Sequence, residues 1–355
     1  MLRSSCLYLT LILFFSSNIA FAQSDESKAK RNNCPESDSN CAEKVGVDKE
    51  RKEQPPAAID AANKSASLLL PKGVLVVEPS VEYAHSSALR VAAEGLIISP
   101  INLLGFFDIT RVDRDIITAA LSTRLGVGNR SEFGLRVPYA YRSDSTLSTP
   151  VGGGQEVYTE SDSIGLGDIE VSGRYQLTNG ENSWPFMVAG LRYKSRTGKD
   201  PFEIPLDNSG LSSDLPIGSG FHSLQPSLAF LHPSDPVVFF GSAGYTWNIE
   251  RDVNSFYGTI NPGDSINLNY GMGFSVNEKA SFSLGYSHNT VFKTEQNNQS
   301  LPNSTVLQVG ALNLGYGYRY NQKTTVTLNL SAGLTNDAPD ISLSLRVPFT
   351  VGKIF

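Results

Sequence analysis

The sequence has few cysteines, few charges and no long apolar segment beyond its first residues. Of 355 residues, 3 are cysteine and 18% are charged, whereas average soluble proteins contain about 25% charged residues. No run of about 20 apolar residues follows the N-terminal leader, which excludes a membrane protein built of helices. The net charge is -6 and basic blocks are absent, so nothing in the sequence indicates nucleic-acid binding.

Residues 1–22 are typical of a secretory signal peptide. Arg3 precedes an apolar run at 7–15, and Ala20-Phe21-Ala22 provides small residues at a cleavage site. Cys6 is removed with this leader, which leaves Cys34 and Cys41 in the mature chain. Because the exported chain meets an oxidising compartment and no histidine lies near the pair, a small disulfide is favoured over a metal site.

Residues 23–72 form a second, polar segment without aromatic residues. Such a segment buries too little apolar area to offset its ordering entropy, which predicts a mostly irregular periplasmic region. Ile59, Ala62 and Ala66 recur near helical spacing. Two interpretations remain for 59–70, a short helix that plugs a barrel or a linker.

From residue 73 to the C-terminus the chain alternates apolar and polar residues with a period of two. The last fifty residues show it best, because Leu312, Leu314 and Tyr316 alternate with Asn313 and Gly315. Successive side chains of a strand leave opposite faces, so this period predicts β-strands with one apolar face.

Three further features of the sequence decide whether the apolar face meets a protein core or lipid. Short turns alternate with long polar loops, an export signal precedes the strands, and the chain ends on Phe355. The first long loop is expected over 143–163, with one strand over 164–177 after it. These features predict an all-β, transmembrane, antiparallel up-and-down β-barrel over 73–355. An open sheet would leave unpaired backbone groups in lipid, so the sheet must close. We expect about twelve strands, or fourteen if 88–113 adds two.

The strand phase points a set of charged residues inward. An arginine facing lipid near the bilayer centre costs about 2–4 kcal/mol, which makes the inward placement energetically necessary. The set forms either a basic path for anions or a structural ladder of ion pairs. The predicted lumen-lining charges are Arg124, Arg136, Arg142, Arg174, Arg192, Lys194, Arg196, Arg319, Arg346, Glu78, Glu82, Glu132, Asp168 and Glu170.

Catalytic and metal-binding patterns are not found in the sequence. The four histidines are scattered, and Ser287 and His288, as strand neighbours, point to opposite faces. No spacing matches a calcium loop or another metal motif. We therefore expect a non-enzymatic protein without a cofactor or a metal ion.

Three stretches resemble a known family. They are LPKG followed by VLVVEPSVEYAHSS, then RDIITAALSTRLGVGNRSEFGLRVPYAYRSDS, then GLGDIEVSGRYQL. They are similar to transporter-like barrels of the phenol-degradation meta-pathway family, and most to the branch that includes the export pore of functional-amyloid systems. The resemblance covers about 70–355, and it implies a barrel of about twelve strands that moves material across the outer membrane.

The predicted function is an outer-membrane channel for small solutes, with aromatic or hydrophobic compounds as candidates, in a Gram-negative bacterium. The alternatives are an export pore for a secreted polypeptide and a sealed structural or adhesive barrel. The expected partners are outer-membrane lipid, the transported solute or polypeptide, and the barrel-assembly machinery, which would recognise the C-terminal strand ending at Phe355.

Overall fold

The structure is a computed structural model, and it describes residues 69–88, 92–93, 96–97, 107–150, 155, 157–180, 184–204, 214–254, 257–300, 304–321 and 324–354. Its strands are β1 (Val74–Ala88), β2 (Ala92–Ala93), β3 (Leu96–Ile97), β4 (Phe107–Gly126), β5 (Ser131–Pro150), β6 (Val157–Leu166), β7 (Glu170–Gln176), β8 (Phe186–Lys194), β9 (Ser223–Ser234), β10 (Val237–Asn248), β11 (Arg251–Asn254), β12 (Gly258–Asn261), β13 (Ser265–Ser275), β14 (Ala280–Val291), β15 (Glu295–Gln296), β16 (Gln299–Ser300), β17 (Leu307–Asn321), β18 (Thr324–Gly333), β19 (Ile341–Arg346) and β20 (Phe349–Lys353). These ranges contain no helix.

Fourteen of these strands form one antiparallel sheet that closes on itself, because β1 pairs with β4 on one side and with β19 and β20 on the other. Two barrel strands are interrupted. β6 and β7 both pair with β5, and β19 and β20 both pair with β1. Counting each interrupted strand once, the barrel has twelve strands, which confirms the predicted fold. The described residues of 88–113 add no further strand to this barrel, since 107–113 belong to β4 and β2 pairs with β3 in a separate two-stranded sheet.

A proline lies in the interruption between β19 and β20, and another lies on the strand opposite the interruption between β6 and β7. Pro348 follows the end of β19 and has no amide hydrogen to donate to the ladder. Pro138 lies in β5 opposite the gap between β6 and β7, where its carbonyl accepts the Gly167 amide at 3.0 Å. The sequence Leu-Arg-Val-Pro, which occurs at Leu135–Pro138 and again at Leu345–Pro348, therefore lies at both interruptions.

The outer face of the barrel is apolar, as the alternation predicts. Exposed side chains include Leu121, Leu268 and Leu343, with tyrosines such as Tyr245 and Tyr320 near the strand ends. A closed sheet with this exposed belt satisfies its backbone hydrogen bonds and buries its apolar face in lipid.

The two ends of the barrel differ. At the short-turn end, strands connect through 127–130, 235–236 and 276–279. The described residues of the connections at the other, long-loop end include 195–204, 214–222, 249–254, 257–264, 292–300 and 304–306. At the long-loop end, β11, β12, β15 and β16 form a separate small sheet, beside a cluster centred on the buried Phe221 and Ile260.

Strand boundaries at the long-loop end differ from those predicted. We expected a loop over 143–163, but β5 continues to Pro150 and β6 begins at Val157. We also expected one strand over 164–177, which is split into β6 and β7. The hydrophobic alternation stops at the lipid boundary, whereas backbone pairing continues through polar residues beyond it.

Candidate functional site

The inward-facing positions enclose a cavity of about 770 Å³ in the barrel lumen. Its wall is contributed by β1, β4, β5, β7, β8, β9, β10, β13, β18, β19 and β20. Eight of the predicted lumen charges line it. They are Glu78, Glu82, Arg124, Arg136, Glu170, Arg174, Arg192 and Arg346.

The charges lie on one side of the lumen, on β1, β4, β5, β7, β8 and β19. Neighbouring strands are joined by ion pairs. Arg136 and Arg192 both reach Glu170, at 3.2 and 3.1 Å, and the shortest distance between Arg124 and Glu78 is 3.6 Å. This side of the lumen is a ladder in which each carboxylate faces guanidinium groups.

The opposite side carries neutral polar groups on β9, β10, β13 and β18. Gln225, Asn267, Asn269 and Thr327 line the cavity there. Several are already engaged, since Asn267 Nδ2 donates to Thr246 Oγ1 at 3.0 Å. A charged wall therefore faces a wall of amides and hydroxyls across the lumen.

An apolar cluster lies at the short-turn end of the neutral wall. Ala229, Leu231 and Val238 are buried, and Phe186 and Phe240 pack against them. Ala229 also lines the cavity. The sequence pattern did not predict this apolar cluster, because residues on three different strands come together only in the barrel.

Glu132 is the most enclosed charge of the lumen wall, with 2% of its surface exposed. Its Oε1 lies 2.9 Å from Arg174 Nη2 and 4.0 Å from Arg124 Nη1. Its Oε2 accepts the backbone amide of Leu70 at 3.1 Å, and Leu70 itself lines the cavity. The chain that leads into β1 therefore touches the lumen before it enters the wall.

At the long-loop end, residues 214–220 (hereafter the inward loop) are fastened to inward-facing side chains. Asp168 accepts from the amides of Gly198 and Ser219 at 2.9 and 2.8 Å and from Ser219 Oγ at 2.7 Å. Arg142 Nη1 donates to the carbonyl oxygen of Pro216 at 3.0 Å. The inward loop is thus held against the inner face of the wall rather than projecting into solvent.

Arg142 is itself oriented by a buried cluster. Asp144 receives hydrogen bonds from Arg142 and from Arg114, with Arg114 Nη2 at 2.7 Å. Burial by itself would raise the pKa of Asp144, but the hydrogen bonds from the two guanidinium groups outweigh it, and the pKa lies below its ordinary value. The cluster lies beyond the apolar belt, because the outward positions beside it are Asp115 and Ser143.

The remaining predicted site residues lie elsewhere. Lys194 is buried near the end of β8, and Arg319 is half-buried in β17. Arg196 is a correction: it follows the end of β8 and is exposed, because the strand ends before the alternation does. Cys34, Cys41, Phe355 and the proposed helix up to residue 68 lie outside the described residues.

Sequence reasoning missed Arg114 and Asp144. The alternation that places Arg124 inward also places Arg114 inward, so the period of two in the sequence could have identified Arg114. Among the described ranges, no group of three or more metal-binding side chains is present. The same ranges contain no helix that is long and apolar enough to span a membrane.

Comparison with known proteins agrees with this architecture. The family model described as "Putative MetA-pathway of phenol degradation" matches residues 123–350. An outer-membrane channel from Pseudomonas putida F1 superposes with a TM-score of 0.53 at 15% identity, covering 81% of this chain and 99% of that one. The translocator domain of the autotransporter NalP from Neisseria meningitidis is more distant, with a TM-score of 0.43 at 8% identity over 79% of this chain and 89% of that one.

The family match covers more than half of the chain, and the fold shared with the Pseudomonas channel covers 81% of the chain. The chain therefore belongs to the family described as "Putative MetA-pathway of phenol degradation", and it shares the β-barrel fold of an outer-membrane channel.

Proposed function

We propose that this channel passes small aromatic solutes that carry a polar or acidic group, such as phenols and aromatic carboxylates. The observation that carries the proposal is the two-sided cavity, which combines an arginine-rich wall with an apolar base. Its volume of about 770 Å³ falls within the range of about 300–1,000 Å³ for small-molecule sites.

The chemistry of the wall suits such solutes. Guanidinium groups stack on aromatic rings and donate paired hydrogen bonds to carboxylates. Five arginines (Arg124, Arg136, Arg174, Arg192 and Arg346) accompany four glutamates (Glu78, Glu82, Glu132 and Glu170), so this wall carries one excess positive charge. An aromatic ring would contact Val188 and Ala229 while its acidic group met the arginines.

We further propose that residues 23–72 face the periplasm and that the part leading to Leu70 occupies the lumen at the short-turn end. The hydrogen bond from the Leu70 amide to Glu132 supports this placement. Short connections lie on the periplasmic side in barrels of this kind. The N-terminal segment would then restrict conduction until it shifts.

Liposome swelling and planar-bilayer conductance test the proposal. We expect benzoate to enter faster than benzylamine of similar size, and a protein beginning at Gly73 to conduct more than the mature protein. Equal rates for the two solutes would contradict solute selection by the arginine wall. No swelling and no current from either protein would favour a sealed barrel.

Export of an unfolded polypeptide is the competing function. It requires a wide aqueous pore, whereas here paired side chains project from the wall and the inward loop narrows the long-loop end. Passage of a secreted chain through the reconstituted protein, without discrimination between small solutes, would favour export instead.

A further inference from the structure

The Arg114–Asp144–Arg142 cluster at the long-loop end carries unbalanced charge. Its three residues are 4%, 5% and 6% exposed, respectively. Two guanidinium groups share one carboxylate, and no other charged group interacts electrostatically with Arg114 among the described residues. One positive charge therefore lacks a counter-charge within a largely buried cluster, where such a charge is costly.

The hydrogen bonds of the cluster leave one donor over. Nε and Nη2 of both arginines point to the two oxygens of Asp144, at 2.5–2.9 Å. Nη1 of Arg142 holds the Pro216 carbonyl. Nη1 of Arg114 is buried and has no hydrogen-bond partner among the described residues. An unsatisfied buried donor on a charged group costs about 1–3 kcal/mol or more.

The barrel register pairs Arg114 with a largely buried serine on β1. Ser86, which is 8% exposed, is the cross-strand partner of Arg114, and Asp144 is its partner on the other side. A water molecule could accept from Nη1 but would leave the charge unbalanced. An anion would accept the hydrogen bond and supply the missing charge, and both effects are strong in a low-dielectric site.

We propose that Arg114 anchors a binding site for a small monovalent anion, a carboxylate or a halide, at the long-loop end of the lumen. Nη1 is enclosed, so an anion enters only when a neighbouring group moves. A further role, as the first binding site that a carboxylated solute reaches, rests on the proposed function, whereas anion binding itself does not.

Bromide provides a direct probe of this site. Crystals of the full-length mature protein soaked in sodium bromide should show an anomalous peak within hydrogen-bonding distance of Arg114 Nη1. The Arg114→Gln variant should lose the peak. Ser86→Asp should lose it as well, because a tethered carboxylate would occupy the position. Arg130→Gln removes the same charge from an exposed turn and should retain the peak.

The outcomes separate the anion site from the channel function. No bromide at Arg114 in the wild-type protein, or a peak that survives both Arg114→Gln and Ser86→Asp, would overturn the site even if the channel conducts. A bromide peak in a protein that conducts no solute would leave the site intact and contradict the function.

A second measurement distinguishes a solute carboxylate from a halide of the medium. Titration of the detergent-solubilised protein with benzoate in chloride-free buffer should give binding at least tenfold weaker in Arg114→Gln than in Arg130→Gln. Bromide binding without benzoate binding would assign the site to halide, and equal benzoate affinity in the two variants would overturn the carboxylate assignment.

Discussion

Replacing Glu132 with glutamine removes the negative charge that two arginines share in the lumen wall. Removing one partner of a buried ion pair costs about 3–5 kcal/mol, since the other charge stays behind unpaired. Arg124 keeps Glu78 at 3.6 Å, so the main loss falls on Arg174, whose guanidinium lies 2.9 Å from Glu132. Because these arginine side chains are 18–22% exposed, we expect the lower end, about 3 kcal/mol.

Equilibrium unfolding in detergent, followed by the fluorescence of Trp184 and Trp247, measures this free energy. Glu82→Gln is the matched control, because Glu82 lines the same cavity but is only half-buried, and its cost should stay below about 1 kcal/mol. The double variant Glu132→Leu/Arg174→Met removes both charges and should recover most of the loss. An unfolding free energy of Glu132→Gln equal to that of the wild type would refute the reasoning, as would additive losses in the double variant.

Three further predictions concern the ends of the lumen. Asp168→Ala removes the acceptor of three hydrogen bonds, so residues 214–220 should be cleaved faster by protease and the single-channel conductance should rise. An unchanged cleavage rate would contradict the idea that Asp168 holds the inward loop in place. Because the pKa of Asp144 is lowered in the folded protein, its ion pairs stabilise the fold above the ordinary carboxyl pKa of about 4, and this stabilisation is lost as the pH falls through the lower folded-state pKa. The difference in unfolding free energy between the wild type and Asp144→Asn should therefore be large at pH 6 and shrink in acid. A difference that does not depend on pH would contradict this. In Gly126→Ala, the added methyl group would overlap the carbonyl oxygens of Leu70 and Pro71. The chain before β1 should therefore be displaced, and conductance in planar bilayers should increase. Gly173→Ala is the control, because a methyl group there meets open space and the conductance should not change.

Much of the barrel could be predicted from the sequence because a β-strand repeats every two residues. Leu121 and Tyr139 face lipid and Arg124 and Arg136 face inward for the same local reason, and neither placement depends on which strands are neighbours. Alternating short and long connections then predicted the twelve-strand order. Where the outer surface becomes polar, as at Asp115, the hydrophobic signal ended although pairing did not, and the strand ends were misplaced there.

Tertiary structure decided what the inward residues do. The pairing of Arg174 with Glu132, the meeting of Phe186 with Leu231 and Phe240, and the capture of Pro216 by Arg142 each join different strands or loops. Local alternation fixes the face on which a side chain lies, but the distance between two inward side chains depends on barrel closure, strand register and loop path. The sequence by itself determined a barrel with a charged lumen, whereas the closed sheet decided that the charges share one wall and the apolar base lies on the other.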